Sequence, residues 1–168
     1  PWINRINMFA QGYEEAKKTG DKIGLQVFFG WEETYEGQDF LIYGLDKQWM
    51  IEHPEMEYWT IKEQFQAVND AGGMVIHAHP FRDRHYIPEI RLFPNYVNGV
   101  EIFNAKNNQD ENDQAYMYAK KYNLPMTAGA DNHHIPIVNS GIDVMKKFNS
   151  EKDYVNLIKN NLPKDLII

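Results

Sequence analysis

TIKEQFQAVNDAGGMVIHAHP, residues 60–80, decides how the chain is organised. Thr60 and Glu63 have the spacing of a reciprocal helix cap, Ile61, Phe65 and Val68 repeat on one helical face, and Gly72 and Gly73 supply a stop. An apolar run follows at once and closes on His77 and His79 before Pro80. The stretch predicts a helix feeding a strand that ends in two imidazoles. Side chains alternate along a strand, so His77 and His79 are expected on one face.

The same punctuation extends in both directions. Upstream, IGLQVFFGWE (23–32) ends at Glu32, ETYEGQ carries a turn glycine, and DFLIYGL (39–45) is a second apolar run. This predicts a hairpin that brings Glu32 and Asp39 together. Downstream, GVEIFN (99–104) reads as a strand. DENDQAYMYAKKYN (110–123) reads as a helix with acids first and lysines last, its buried face marked by Ala115, Tyr118, Ala119 and Tyr122. PMTAGADNHH (125–134) reads as a strand running into a polar loop, and GIDVMKKF, SEKDYVNLIKNN and DLII give a closing strand, helix and strand. Near the start, Ile3, Ile6, Phe9, Ala10, Tyr13 and Ala16 recur at helical spacing up to a stop at Gly20. Strands alternating with helices predict an α/β protein with a mostly parallel sheet, open or closed into a barrel.

Composition narrows the function. The 168 residues suit a single domain with a real core, and no apolar run is long enough for a membrane span. The formal charge of −7, from 17 basic and 24 acidic residues, argues against nucleic acid as a partner, since phosphate backbones are bound by clustered cations. Cysteine is absent, so a metal would be held by His, Asp or Glu. No initiator Met, charged leader or apolar signal region precedes the first helical segment, so the chain reads as an N-terminally incomplete piece whose targeting information could lie upstream; the expectation for location is cytoplasmic.

Polar residues of that kind gather at the expected carboxyl ends of strands: Glu32, His77 and His79, Glu101 and Asn104, then Asp131, His133 and His134. In α/β folds loops from separate strands converge at that edge. Singly, each has an ordinary explanation as a core histidine or a turn residue. Together they fit an oxygen and nitrogen site for zinc, manganese or iron. The aromatic connector DKQWMIEHPEMEYWT (46–60) reads as packing against the sheet, with His53 exposed, or as a lid.

GWE (30–32), DFLIYG (39–44), AHPFR (78–82), GVEIFN (99–104) and AGADNH (128–133) together resemble the PHP domain (polymerase and histidinol phosphatase) family, from about residue 24 to the end. The resemblance implies a distorted (β/α)7 TIM-like barrel that holds two or three divalent ions (Zn, Mn or Fe) and hydrolyses a small-molecule phosphate ester. It implies Glu32, Asp39, His79, Asp131 and His133 as metal ligands. Arg82 would meet the phosphoryl group, with Arg84 a weaker candidate. His77 would sit behind the ligands, orienting one of them, or in the core; Asn104 or Glu101 could position water or ligands, and Glu101 reads equally as a buried structural acid outside the ligand set. Members of the family open with an HxH strand, and none occurs here before residue 77. The expectation is therefore one PHP-like domain over residues 1–168 that lacks the first strands of the barrel. Two other readings stay open: a binding or regulatory module with a depleted site, and an amidohydrolase-like barrel acting on a C–N bond.

Overall fold

The computed structural model describes residues 1–133 and 139–168. Two helices, α1 (Trp2–Phe9) and α2 (Gln11–Ile23), lead into a hairpin of β1 (Gly30–Tyr35) and β2 (Gln38–Tyr43). Glu36 and Gly37 form its tight turn with φ of 50° and 84°. Two successive positive φ values match the right-handed twist of the paired strands and leave no slack in register. Thr34 accordingly lies opposite Asp39 and Glu32 opposite Leu41, which puts Glu32 and Asp39 on one face of the hairpin.

The chain continues through α3 (Lys47–Glu52), a 3-10 turn (Pro54–Tyr58) and α4 (Ile61–Asp70) to β3 (Met74–His77). Thr60 and Glu63 cap α4 reciprocally, and Ile61, Phe65 and Val68 are buried along it, as the spacing predicts. After a long loop come β4 (Gly99–Asn104), α5 (Gln109–Tyr122) and β5 (Met126–Gly129). The chain closes with β6 (Gly141–Asp143), α6 (Glu151–Lys159) and β7 (Asp165–Ile167).

The sheet runs β1-β2-β3-β4-β5, antiparallel across its first three strands and parallel across its last three, while β6 and β7 pair separately. The described residues thus form an open, mixed sheet and not the closed barrel the family resemblance implies. A two-residue hairpin cannot carry a parallel crossover, so β1 and β2 reverse direction at the sheet's edge.

Each face has its own core. Phe40, Ile42 and Val75 pack with Phe65 and Val68 of α4 and with Phe93. Met74 and Ile76, pointing the other way, pack on Val155, Leu157 and Ile158 of α6. Val100 packs on Ala115, Tyr118 and Ala119 of α5. Phe40, Phe65 and Phe93 meet pairwise with ring centroids 4.7, 5.6 and 5.9 Å apart.

Three local expectations are corrected. Tyr122, expected on the buried face of α5, is 42% exposed, because the apolar stripe ends one turn earlier. Gly20 does not stop the first helical segment. It is buried inside α2, where a Cβ would meet Leu25 and Val27, and Gly24 ends the helix at φ 76°. His53 is half-buried, stacked on Trp49 at 4.2 Å.

Candidate metal centre

The hairpin and the exit of β3 converge on one acidic corner. Asp39 accepts a 2.6 Å hydrogen bond from the Thr34 hydroxyl across the hairpin, and its Oδ2 lies 3.6 Å from His79 Nε2. With Glu32 these groups form a trio whose ligand atoms all lie within 4.8 Å of one another. Donors each about 2.1 Å from one tetrahedral ion stand about 3.4 Å apart, so closure of up to about 1.4 Å makes the trio a ligand set. Two carboxylates and an imidazole suit zinc, manganese or iron, and three protein donors leave room for water.

Electrostatics point the same way. Glu32 is raised above the ordinary carboxyl range by partial burial and then by the negative charges of Asp39 and Asp131. That repulsion is what a cation would relieve. Burial, helped by the Arg82 charge, pushes His79 down to about 4, so its ring is neutral near pH 7 with a lone pair free to ligate.

His77 and His79 do not share a face. The strand ends at His77, and His79 takes φ 30°, which turns its side chain toward Asp39. His77 instead stacks on Phe40, the neighbour of Asp39 on the opposite face of β2, with ring centroids 4.5 Å apart. It is fully buried, and neither ring nitrogen has a hydrogen-bond partner among the described residues. Burial pushes it down to about 3, which keeps it neutral. No orienting hydrogen bond from His77 is found among the described residues, and His77 takes the core position instead.

Asp131 closes the corner from β5. Its backbone, at φ 48°, is in the left-handed region, and its carboxylate is engaged on both oxygens. Arg82 Nη1 approaches Oδ2 at 2.6 Å, and His133 Nδ1 lies 3.1 Å from Oδ1. Burial works against ionisation of Asp131, but the hydrogen bond and charge of Arg82 outweigh it and hold the group low. His133 stands at the exposed rim, and His134 lies outside the described residues.

Arg82, expected to meet a phosphoryl group, has each of its three guanidinium nitrogens on a protein acceptor here. Nε donates to Asn107 Oδ1 at 3.0 Å, Nη2 to Asn104 Oδ1 at 3.0 Å, and Nη1 to Asp131. Arg84 pairs with Glu111 at 2.6 Å. Asn104 is buried and joins Arg82 to Glu101, donating from Nδ2 to Glu101 Oε2 at 3.0 Å. Asn107 and Thr34 escaped the sequence reading. Nothing in their local pattern marks them, because their roles come from contacts 25 and 5 residues away.

Residues 109–161 match the PHP-associated family. The uncharacterized protein MJ0417 of Methanocaldococcus jannaschii is 32% identical over 94% of the chain, and the chain spans 62% of that relative's length. Among solved structures, a two-domain protein of Bacteroides vulgatus ATCC 8482 containing a predicted PHP-like metal-dependent phosphoesterase superposes with a TM-score of 0.69 at 16% identity. The match covers 95% of this chain and 49% of that one. A candidate metal-dependent phosphoesterase of Bifidobacterium adolescentis ATCC 15703 gives 0.55 at 15% identity, over 88% of this chain and 80% of that one. At these identities the likeness is one of fold. Residues 109–161 thus match the PHP-associated family, and the chain shares its fold with solved proteins described as predicted PHP-like or candidate metal-dependent phosphoesterases.

Proposed function

We propose that the chain belongs to a metal-dependent phosphoesterase acting on a small phosphate monoester. The observation that carries this is the convergence of Glu32, Asp39 and His79 on one point, with Asp131 and Arg82 beside it. Likeness in fold to PHP-like phosphoesterases supports the reaction class. Glu32, Asp39 and neutral His79 would hold one divalent ion, and Asp131 with His133 would help to hold a second once Arg82 lets go. Bound ions of this kind acidify water and offset negative charge on phosphoryl oxygens.

The chain's own residues supply placement. His79 presents its ring from a backbone turned at φ 30° and anchored to Glu101. The Thr34 hydroxyl fixes one oxygen of Asp39 and leaves the other facing His79. Arg82, drawn from Asp131 by an incoming phosphate, would bind two of its oxygens through the guanidinium fork.

A second reading, a binding module without turnover, draws on the Arg82–Asp131 pair. A cation of the protein's own already occupies the second half of the corner. Assaying the complete protein on p-nitrophenyl phosphate, nucleoside monophosphates and simple amides, with added manganese or zinc and then with chelator, separates the readings. Phosphate release that needs metal and is lost in His79→Ala is the expected result. Turnover of amides alone, or metal binding without turnover on any of these substrates, overturns the proposal.

A further inference from the structure

Glu101, open from sequence between a positioning group and a structural acid, sits beneath the candidate centre and is tied to both of its halves, to His79 directly and to Asp131 through Asn104 and Arg82. It is 5% exposed, and its Oε2 accepts the His79 backbone N–H at 2.9 Å and Asn104 Nδ2 at 3.0 Å. Asn104, 1% exposed, passes the connection on: its Oδ1 accepts from Arg82 Nη2 at 3.0 Å and from the Lys106 backbone at 2.9 Å. Arg82 then grips Asp131. Asn112 locks the base of this chain, accepting from the Asn104 backbone N–H at 3.0 Å and donating to its carbonyl at 3.3 Å.

We infer that Glu101 is a positioning residue that sets the distance between the His79 side and the Asp131 side of the centre, through Asn104 and Arg82. The inference rests on the metal-centre reading above and adds what holds the donors in place. Two further features fit it. His79 and Asp131 both occupy left-handed backbone, which a non-glycine residue keeps only where its surroundings hold it there. The opposite oxygen of Glu101, Oε1, lies directly over Gly129, where any Cβ would collide with it. Gly129 does not have a positive φ, so its lack of a side chain serves the Glu101 carboxyl and not its own backbone.

Both bonds received by Glu101 fall on one oxygen, so the role needs an acceptor of this shape and not a negative charge. Glutamine can therefore replace it, whereas a role as a metal ligand would not survive that change. The test uses the complete protein with Glu101→Ala, Glu101→Gln, Gly129→Ala and the Glu101→Ala/Gly129→Ala double variant. The readouts are manganese affinity by calorimetry and hydrogen exchange of the His79 amide without metal. Loss of a group that orients ligands costs about 10- to 100-fold in metal affinity. Glu101→Ala and Gly129→Ala are expected to lose at least about tenfold and to speed exchange at His79, with Glu101→Gln close to wild type in both. Adding Gly129→Ala to Glu101→Ala should do little more, because the collision partner is gone. Wild-type exchange and affinity in a folded Glu101→Ala variant overturn the inference alone. So does a Glu101→Gln variant as impaired as Glu101→Ala. A wild-type protein that binds no manganese, yet shows the exchange pattern, overturns the metal-centre reading and leaves Glu101 a brace of the fold only.

Discussion

Replacing Glu101 by glutamine should flatten the pH dependence of stability of the metal-free protein by about 3 kcal/mol between pH 4 and 8. Burial pushes the Glu101 carboxyl up to about 7 from its ordinary 4.5, against the lowering effect of the Asn104 and His79 hydrogen bonds. Between those two values the folded chain keeps a proton that the unfolded chain has released. Wild-type stability therefore falls as pH rises through this window and levels off above it. At about 1.4 kcal/mol for each pH unit of difference, the full decline is about 3 kcal/mol. Urea unfolding of wild type and Glu101→Gln in chelator, at steps from pH 4 to 8, measures it directly. The gap between the two proteins should shift in favour of the variant as pH rises. A gap that stays constant across the range would refute the reasoning, since Glu101 would then ionise alike in both states.

Other perturbations test neighbouring parts of the account. Arg82→Met leaves the mostly buried Asp131 carboxylate without its cation, and stability should drop by about 2 kcal/mol, between surface and fully buried pairs; unchanged urea unfolding would show that the pair contributes nothing. His77→Phe should leave metal affinity unaltered. It should also raise stability at acid pH, where the unfolded chain takes up a proton that the folded His77 refuses; weakened metal binding would return His77 to the site. Asn108→Ala removes the side-chain cap of α5 and should cost about 1 kcal/mol in urea unfolding, with activity untouched.

Local rules made the frame of this protein readable. The cap at Thr60 and Glu63 and the Glu36–Gly37 turn depend on neighbours a few residues apart, so spacing alone foretells helix α4 and the hairpin that aligns Glu32 with Asp39. His77 and His79 part to different faces because alternation holds only while the strand lasts. A single left-handed residue at His79 breaks it, and nothing in HAHP announces that φ. Closure of the barrel was equally illegible, since strand order is set by long-range pairing and not by the pattern within any one strand. Glu101 carried one usable signal, an acid between Val100 and Ile102 in a strand. Its partners, His79 and Gly129, lie 22 and 28 residues away and become visible only in the fold.

Anomalous scattering of zinc-soaked crystals, recorded at the zinc absorption edge, locates the ion itself. A peak is expected between carboxylate oxygens of Glu32 and Asp39 and the His79 ring, each about 2.0–2.2 Å away. A peak held by other residues, with this corner empty at saturating zinc, would contradict the metal-centre reading.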